Sequence, residues 1–323
     1  LLTGRGASLS SGPAAPWLRD ENPWQSVSSG AHGICAVKGD NQVYCRGDAA
    51  HGWPASPAVV PDIETTKVMV GDDFACVKTT RGEVRCWRAH DVFVEKRSPS
   101  RIDVSRVLRL AVGSTHACAV DVEGAVSCWG TNRHGESGGR ASDGLTPVRV
   151  AELPRARDVA AGDHATCAVL ENGEVWCWGA IGFEGTDTPR VVSDRPVRVD
   201  GLPGRASSVA LGRDRACSTH DRVLHCWGAA VPGDAPRSMP GFSNVDTASV
   251  GTSHLCAVLG SGRVRCTGAN ERGQLGTENI VNVTFNEVPA IRDAFDVTTG
   301  DFATCILTRG ADPELVCWGL RAQ

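Results

Sequence analysis

The sequence predicts an all-β fold, a seven-bladed β-propeller of four-stranded antiparallel blades with one disulfide in each repeat. Three observations support this prediction. A glycine-to-cysteine stretch recurs seven times, each recurrence carries two cysteines, and each repeat divides into four short extended segments. Repeats of about 40–50 residues are typical of propellers and other arrays, and four strands per repeat favour the propeller.

The recurring stretch is clearest at residues 159–179, which read VAAGDHATCAVLENGEVWCWG. A run of small residues ends at Gly162, and Cys167 follows five residues later. The same spacing begins at six other glycines: Gly30, Gly71, Gly113, Gly212, Gly251 and Gly300. Successive glycines are 41, 42, 49, 50, 39 and 49 residues apart, with a mean of 45.

The fourteen cysteines are spaced so that two face each other in every repeat. Five pairs are 10 residues apart, one is 9 apart and one is 12 apart. In an antiparallel hairpin, residues stay opposite only if the loop absorbs the change in length. A spacing of 10 leaves a three-residue loop, whose last residue favours the left-handed conformation. The residues at that place are Asn41, Gly82, Gly124, Gly173 and Gly262.

We therefore predict seven disulfides within repeats: Cys35–Cys45, Cys76–Cys86, Cys118–Cys128, Cys167–Cys177, Cys217–Cys226, Cys256–Cys266 and Cys305–Cys317. Seven pairs of reduced, buried thiols are the alternative. Zinc binding is disfavoured because no pair has the two-to-four-residue spacing of a zinc knuckle. Disulfides require an oxidising compartment, so the predicted location is extracytoplasmic, that is periplasmic, cell-surface or secreted.

The fourth repeat illustrates the four predicted strands, which are residues 147–150, 158–162, 166–170 and 174–178. The second strand has small side chains, which suits the innermost position of a blade. A tryptophan follows the second cysteine in five repeats: Trp87, Trp129, Trp178, Trp227 and Trp318. We expect these indoles to fill the wedge between adjacent blades; a ligand-binding role is the alternative.

The predicted domain boundaries are an N-terminal tail at residues 1–15 and a single propeller domain at residues 16–323. Residues 16–19 have the pattern of the first strand of a repeat, which is missing after the last repeat. We expect this segment to pair with the last blade, bury Trp17 and close the ring.

The repeats resemble the regulator-of-chromosome-condensation repeat family. That family combines a glycine, a hydrophobic strand, a Gly-containing turn, Trp-Gly and then Asn-x-x-Gly-Gln-Leu-Gly. The sixth repeat retains this ending as Asn270, Gly273, Gln274, Leu275 and Gly276. The third keeps Gly130, Asn132 and Gly135, whereas the second departs from it at Trp87-Arg88.

The resemblance covers residues 16–319 and implies a seven-bladed propeller. Relatives include a nucleotide-exchange factor for a small GTPase that also binds chromatin, and a secreted bacterial inhibitor of β-lactamases. The resemblance does not imply one function, because a fold hosts many functions. An oxidised chain without a basic tail is not expected to bind a small GTPase.

Composition and motifs exclude several classes of function. The net charge is −4 and no basic block is present, which argues against a nucleic-acid partner. No apolar run reaches the length of a membrane span. No phosphate-binding glycine loop or Ser-His-Asp arrangement is present, so we expect no cofactor and no catalytic residues. His32, His116, His164 and His254 follow the repeat glycines at two different offsets, which favours turn-capping hydrogen bonds over a metal ring.

Strands of a meander alternate in direction, so the loops alternate between two faces. The turn between the second and third strands shares a face with the long loop that follows the fourth strand. Four loop aromatics, Trp53, Phe93, Phe183 and Phe285, are predicted to bind a partner on this face, since rigid scaffolds commonly present binding residues on loops. Local packing on the blade edge is the alternative.

The leading hypothesis is a non-enzymatic, extracytoplasmic propeller that binds another protein as a subunit or scaffold of an assembly. One alternative is a secreted enzyme inhibitor. The other is an enzyme, such as a lyase or glycosidase, that uses the central channel and therefore needs convergent carboxylates or a metal on the axis.

Overall fold

The computed structural model describes residues 23–139, 144–181, 191–228, 231, 235–277, 283–289, 291–310 and 314–319. Within them, seven antiparallel sheets follow one another along the chain. The predicted seven-bladed propeller is therefore confirmed.

Each sheet is one blade, and its strands are numbered in chain order. Blade one contains β1 (Trp24–Ser29), β2 (Gly33–Lys38), β3 (Val43–Gly47) and β4 (Ala58–Val59). Blade two contains β5 (Thr65–Val70), β6 (Phe74–Thr79), β7 (Val84–Arg88) and β8 (Ser100–Ile102). Blade three contains β9 (Val107–Val112), β10 (His116–Asp121), β11 (Val126–Gly130) and β12 (Gly144–Arg149). Blade four contains β13 (Ala156–Ala161), β14 (Ala165–Leu170), β15 (Val175–Ile181) and β16 (Val191–Arg198).

The remaining blades follow the same plan. Blade five contains β17 (Ala206–Leu211), β18 (Ala216–His220), β19 (Val223–Trp227) and β20 (Arg237–Ser243). Blade six contains β21 (Val245–Val250), β22 (His254–Leu259), β23 (Val264–Gly268) and β24 (Val283–Glu287). Blade seven contains β25 (Ala294–Thr299), β26 (Thr304–Thr308) and β27 (Leu315–Trp318). A 3-10 helix (Ala49–His51) follows β3 and a π-helical turn (His90–Val94) follows β7. Across the described ranges, no helix has the length and apolar character needed to cross a membrane.

The blades are offset by one strand from the sequence repeats. The segment predicted as the first strand of the fourth repeat overlaps the end of β12, which pairs with β11 of blade three. Each outer strand is thus supplied by the chain on its way to the next repeat. Blade seven has three strands among the described residues. Residues 16–19, which we expect to add its fourth strand, lie outside the described ranges, so this closure stays a prediction.

The hairpin turns have the conformations that the cysteine spacing predicts. The last residue of all five three-residue loops has a positive φ, from 66° at Asn41 to 87° at Gly173. In the two-residue loop, Asp221 and Arg222 have φ values of 47° and 63°, as a tight hairpin turn requires.

All seven predicted disulfides are present, and the described residues include no free cysteine. In each blade the two cysteines are directly paired across the second and third strands, as Cys167 is with Cys177. The loop lengths therefore keep the cysteines opposite, as the sequence predicts.

The tryptophans after the second cysteines pack between blades. Trp178 of blade four contacts a cluster that includes Cys118 and Cys128, the disulfide of blade three. Trp129 lies in the same way against Cys76 and Cys86 of blade two. The expected wedge position is confirmed, and the indole covers the disulfide of the preceding blade.

Two blades lack this tryptophan and have Arg46 or Thr267 at its place. The wedge between blades five and six is filled instead by Phe242, which is fully buried and lies on the outer strand β20. Trp24, at the start of β1, fills the wedge between blades seven and one together with Leu307 and Leu315. Neither aromatic occupies the repeated position after a second cysteine, so the repeat pattern does not predict these contacts.

The repeat glycines form a closed ring at the propeller axis. A Cβ atom added to any of them would collide with the carbonyl oxygen of the next glycine: Gly30 with Gly71, Gly71 with Gly113, Gly113 with Gly162, Gly162 with Gly212, Gly212 with Gly251, Gly251 with Gly300, and Gly300 with Gly30. These glycines have no left-handed φ, so their role is to allow close approach.

Candidate functional site

The face that carries the turns between first and second strands of the blades is the candidate working face, here called the loop face. It contains the mouth of the central channel and the loops that follow the third strand of each blade. The mouth is lined by the seven ring glycines and their neighbours, and its volume is about 410 Å³ including the open entrance. The hairpin tips lie at the opposite face.

The residues that directly follow the ring glycines determine the charge of the mouth. They include three carboxylates and one guanidinium, and the complete set is Ala31, Asp72, Ser114, Asp163, Arg213, Thr252 and Asp301. Asp163 is buried and its Oδ2 accepts a hydrogen bond from Nε of Arg213 at 2.8 Å. Asp301 accepts a hydrogen bond from the hydroxyl of Thr252. The mouth is therefore electronegative, with one of its three carboxylates paired to a cation.

Asp72 is the carboxylate most affected by this arrangement. Burial, together with the nearby charges of Asp163 and Asp301, raises its pKa to about 6, and a hydrogen bond from Ser114 opposes the shift. Burial and the nearby negative charges both disfavour the ionised form of the carboxyl group. The carboxylates that a channel-site enzyme would need are thus present on the axis, although each of the three accepts a hydrogen bond from a neighbouring side chain.

Two of the four histidines that follow the ring glycines are almost fully buried. They are His116 and His254, each three residues after its glycine. Nε2 of His116 lies 2.7 Å from Oγ1 of Thr166 in the next blade, and that hydroxyl donates to the carbonyl of Glu136 at 2.8 Å. The same relay joins His254, Thr304 and the carbonyl of Gln274, with both distances 2.8 Å.

These contacts determine the protonation of both rings. Because the threonine hydroxyl donates to a carbonyl, it accepts from the imidazole, so Nε2 carries the proton. Nδ1 of both rings is buried and has no hydrogen-bond partner among the described residues. Burial lowers the pKa of His116 and of His254 to about 4. Both rings are therefore neutral at pH 7.

The relay corrects the expectation that these histidines cap turns. Each histidine instead bonds to a threonine of the next blade, and that threonine donates to a backbone carbonyl of a loop on the loop face. The sequence contains a signal for this role, since both histidines precede their threonine by 50 residues. This spacing spans two repeats, so it is not visible in the turn pattern of any single repeat.

The carbonyl groups that accept from the two threonines belong to the Asn-x-x-Gly loops, at Glu136 and Gln274. Oδ1 of Asn270 accepts from the backbone N–H of Leu275 at 2.8 Å, and both residues are fully buried. Asn132 makes the corresponding contact with the N–H of Ser137, also at 2.8 Å. The loop ending at Gly276 also reaches blade seven, since Nε1 of Trp318 donates to the carbonyl of Gln274 at 2.9 Å.

The structure places the predicted partner-binding aromatics in different environments. Trp53 is only 1% exposed, packs in the core between blades one and two, and donates from Nε1 to the carbonyl of Asp72 at 3.1 Å. The prediction that Trp53 is a surface anchor is therefore wrong, because a short 3-10 helix turns the chain inward after β3. Gly33 leaves room for its ring.

Phe93 lies on the π-helical turn after β7 and is half-buried. Its ring centroid is 6.1 Å from that of Trp53, against which it packs. Phe183 lies outside the described ranges, and so does the side chain of Phe285. Partner binding by Phe93, Phe183 and Phe285 stays a prediction.

Comparison with known proteins agrees with this architecture. The model of the regulator of chromosome condensation (RCC1) repeat matches residues 107–136, 156–183 and 245–274, in blades three, four and six. No curated protein matches the chain. Among solved structures, human WBSCR16 is 18% identical with a TM-score of 0.78, over 90% of this chain and 89% of that one.

Two further structures have the same fold. Prp20p from Saccharomyces cerevisiae, whose binding to Gsp1p and histones has been described, is 17% identical with a TM-score of 0.71, over 92% of this chain and 82% of that one. The CRINKLY WD40 ectodomain of the Arabidopsis thaliana receptor kinase ACR4 is 19% identical with a TM-score of 0.60, over 93% and 96%. The predicted resemblance is confirmed: the chain is a seven-bladed propeller, and three of its segments match the regulator of chromosome condensation (RCC1) repeat.

Proposed function

We propose that this chain is a non-enzymatic, extracytoplasmic protein-binding propeller that acts as a subunit or interaction scaffold of a protein assembly. The observation that carries the proposal is the pairing of all fourteen cysteines within blades. Disulfides in this number form and persist in oxidising compartments. The similar receptor-kinase structure is itself an ectodomain, which supports the same location.

A role in protein binding is supported by the way the loops are held. Each disulfide joins the second and third strands of its blade, so it lies beside the start of the loop that leaves the third strand. Rigid scaffolds that display variable loops are commonly used for recognition. Prp20p, which has the same fold, is described as a binder of proteins. A small GTPase is not proposed as the partner here, because the proposed compartment is oxidising.

The proposed contact surface is the loop face, with Phe93, Phe183 and Phe285 among its contacts. The buried indole of Trp53 packs against Phe93 and so holds this part of the surface in position. We do not favour the channel-site enzyme. All three axial carboxylates are held by neighbouring side chains, in the pairs Asp163–Arg213, Asp301–Thr252 and Asp72–Ser114. A free inhibitor remains the alternative that the experiment below separates from an assembly subunit.

Site-specific photo-crosslinking in the native source tests this proposal. A photoreactive residue replaces Phe93 on the loop face in one variant and Arg81 at a hairpin tip of the same blade in the other. We expect a protein partner to be linked from position 93 and not from position 81, and to co-purify with the chain without crosslinking. Equal labelling from both positions, or none from position 93, contradicts the proposed face.

The same cells provide a test of location. Alkylation of the denatured chain, isolated from these cells or their medium, should modify no cysteine before reduction and all fourteen after it if the chain resides in an oxidising compartment. A chain found in the cytoplasm with alkylatable thiols before reduction would contradict the compartment. A partner that loses its enzymatic activity when bound to a free monomer would favour the inhibitor instead of the assembly subunit.

A further inference from the structure

Two histidines and one carboxylate meet on the loop face of blade one. His32 lies in the turn between β1 and β2, Asp48 caps the start of the 3-10 helix that follows β3, and His51 is the last residue of that helix. The nitrogen and oxygen atoms that these side chains offer all lie within 4.8 Å of one another. His32 is half-buried, whereas Asp48 and His51 are exposed.

The backbone holds the three residues in fixed relation. The N–H of Asp48 donates to the carbonyl of His32 at 2.8 Å, which joins the turn to the helix. Oδ1 of Asp48 caps the helix by accepting from the N–H of Ala50 at 2.9 Å. The chain then turns at Gly52, with φ of 81°, and the next residue is the buried Trp53. The cluster thus stands on a segment that is anchored in the core.

The spacing of the donor atoms fits a transition-metal ion. Oδ2 of Asp48 and Nδ1 of His51 are 3.0 Å apart. Ligand atoms around a tetrahedral zinc ion with bonds of 2.0–2.1 Å are about 3.3 Å apart, so a metal can replace the proton shared by this pair. The rings of His32 and His51 are stacked, with centroids 3.5 Å apart and planes inclined by 3°. Each nitrogen lone pair lies in the plane of its ring, so the lone pairs of two parallel rings do not converge on one point. Metal binding therefore requires the exposed ring of His51 to tilt.

We propose that His32, Asp48 and His51 bind one transition-metal ion, such as Zn²⁺, with a fourth position open to solvent. Imidazole and carboxylate ligands suit zinc and copper, and every cysteine is used in a disulfide, which leaves nitrogen and oxygen donors. The carboxyl group of Asp48 is exposed, and an exposed aspartate is ionised at pH 7, so this ligand is anionic. The site is independent of the identity of the protein partner.

Zinc titration of the untagged, full-length protein by calorimetry at pH 7 tests this proposal. We expect one equivalent of Zn²⁺ to bind with micromolar affinity, and His32→Ala, His51→Ala and Asp48→Asn each to weaken binding at least tenfold. Asparagine is also a good helix-capping residue, so Asp48→Asn removes the charge and retains the cap. His90→Ala separates this site from a second group of possible ligands on the neighbouring loop, His90, Asp91 and Glu95, and we expect it to leave Zn²⁺ binding unchanged.

A spectroscopic measurement identifies the ligands. The electron paramagnetic resonance spectrum of one equivalent of Cu²⁺ should show coupling to two imidazole nitrogens, and His32→Ala should reduce this to one. Absence of micromolar Zn²⁺ binding by the wild-type protein overturns the proposal. Retention of wild-type affinity in both histidine variants, or loss of binding in His90→Ala alone, also overturns it, since the ion would then be held elsewhere.

Discussion

Gly300 of blade seven lies against the carbonyl oxygen of Gly30 in blade one, which closes the ring of glycines at the axis. The backbone N–H of Ser29 also donates to Oγ1 of Thr298 at 3.2 Å. The two ends of the blade series are thus joined by the inner strands themselves. Closure at the axis therefore does not depend on the N-terminal segment that we expect at the outer edge.

Substitution of a ring glycine by alanine should destabilise the propeller. In Gly300→Ala the new methyl group would collide with the carbonyl of Gly30, and overpacking of this kind costs about 1–3 kcal/mol. The matched control is Gly144→Ala, because Gly144 has open space around it and no left-handed φ. Urea unfolding followed by fluorescence measures both. Equal midpoints for the two variants would show that the blades can separate at the axis without cost.

Trp53→Ala should unfold the protein more readily, because this side chain belongs to the core. Loss of a buried tryptophan costs about 3–5 kcal/mol. Phe93→Ala should have a smaller effect on the free energy of unfolding, since Phe93 is half-buried, and should weaken partner binding. Thermal unfolding of both variants, with partner binding measured for Phe93→Ala, checks this order. A Trp53→Ala protein with wild-type stability would disagree with its buried position.

Asp72→Asn should stabilise the protein above pH 6. The folded-state pKa of Asp72 is raised from 3.8 to about 6, so its ionisation destabilises the folded state at higher pH. This cost is complete above pH 6, declines as the folded carboxyl becomes protonated between pH 6 and 3.8, and is absent below 3.8. We expect a gain of about 1–3 kcal/mol at pH 8, based on about 1.4 kcal/mol per pKa unit, and little difference near pH 4. A constant gain at both pH values would assign the effect to packing.

His254→Gln should reduce the sensitivity of the protein to acid. The folded-state pKa of His254 is lowered from 6.5 to about 4, so the unfolded chain binds its proton first. The stability contributed by the neutral ring is complete above pH 6.5 and is lost as the pH falls towards 4. Stability of wild type and variant should therefore converge as the pH decreases from 7 to 4. Urea midpoints at intervals of half a pH unit measure this, and parallel curves would contradict the buried neutral ring.

Deletion of residues 1–19 should lower the melting temperature, whereas deletion of residues 1–12 should have little effect. The longer deletion removes the segment that we expect to pair with β27, and an unpaired outer edge also promotes aggregation. Calorimetry and light scattering of both truncated proteins check the prediction. If the two behave alike, the outer edge of blade seven is completed in another way or needs no fourth strand.

The loop lengths between cysteines illustrate what can be predicted from a sequence. Spacings of 9, 10 and 12 residues are each compatible with opposition in a hairpin, and hairpin geometry is local. The seven disulfides and the left-handed turn residues could therefore be predicted before any contact between blades was known. The wedge tryptophans were predictable for a similar reason, since each occupies the same place in a repeated unit.

The sequence by itself determined the number of blades, the cysteine pairs and the position of the repeated tryptophans, because these follow from spacing within one repeat. Only the tertiary structure decided that Trp53 is buried, that Phe242 and Trp24 fill the two wedges without a repeated tryptophan, and that His116 and His254 reach the next blade. It also brought Asp72, Asp163 and Asp301 together at the mouth. These contacts join residues from different repeats, and their geometry depends on how the blades pack around a common axis. A pattern within one repeat therefore does not predict them.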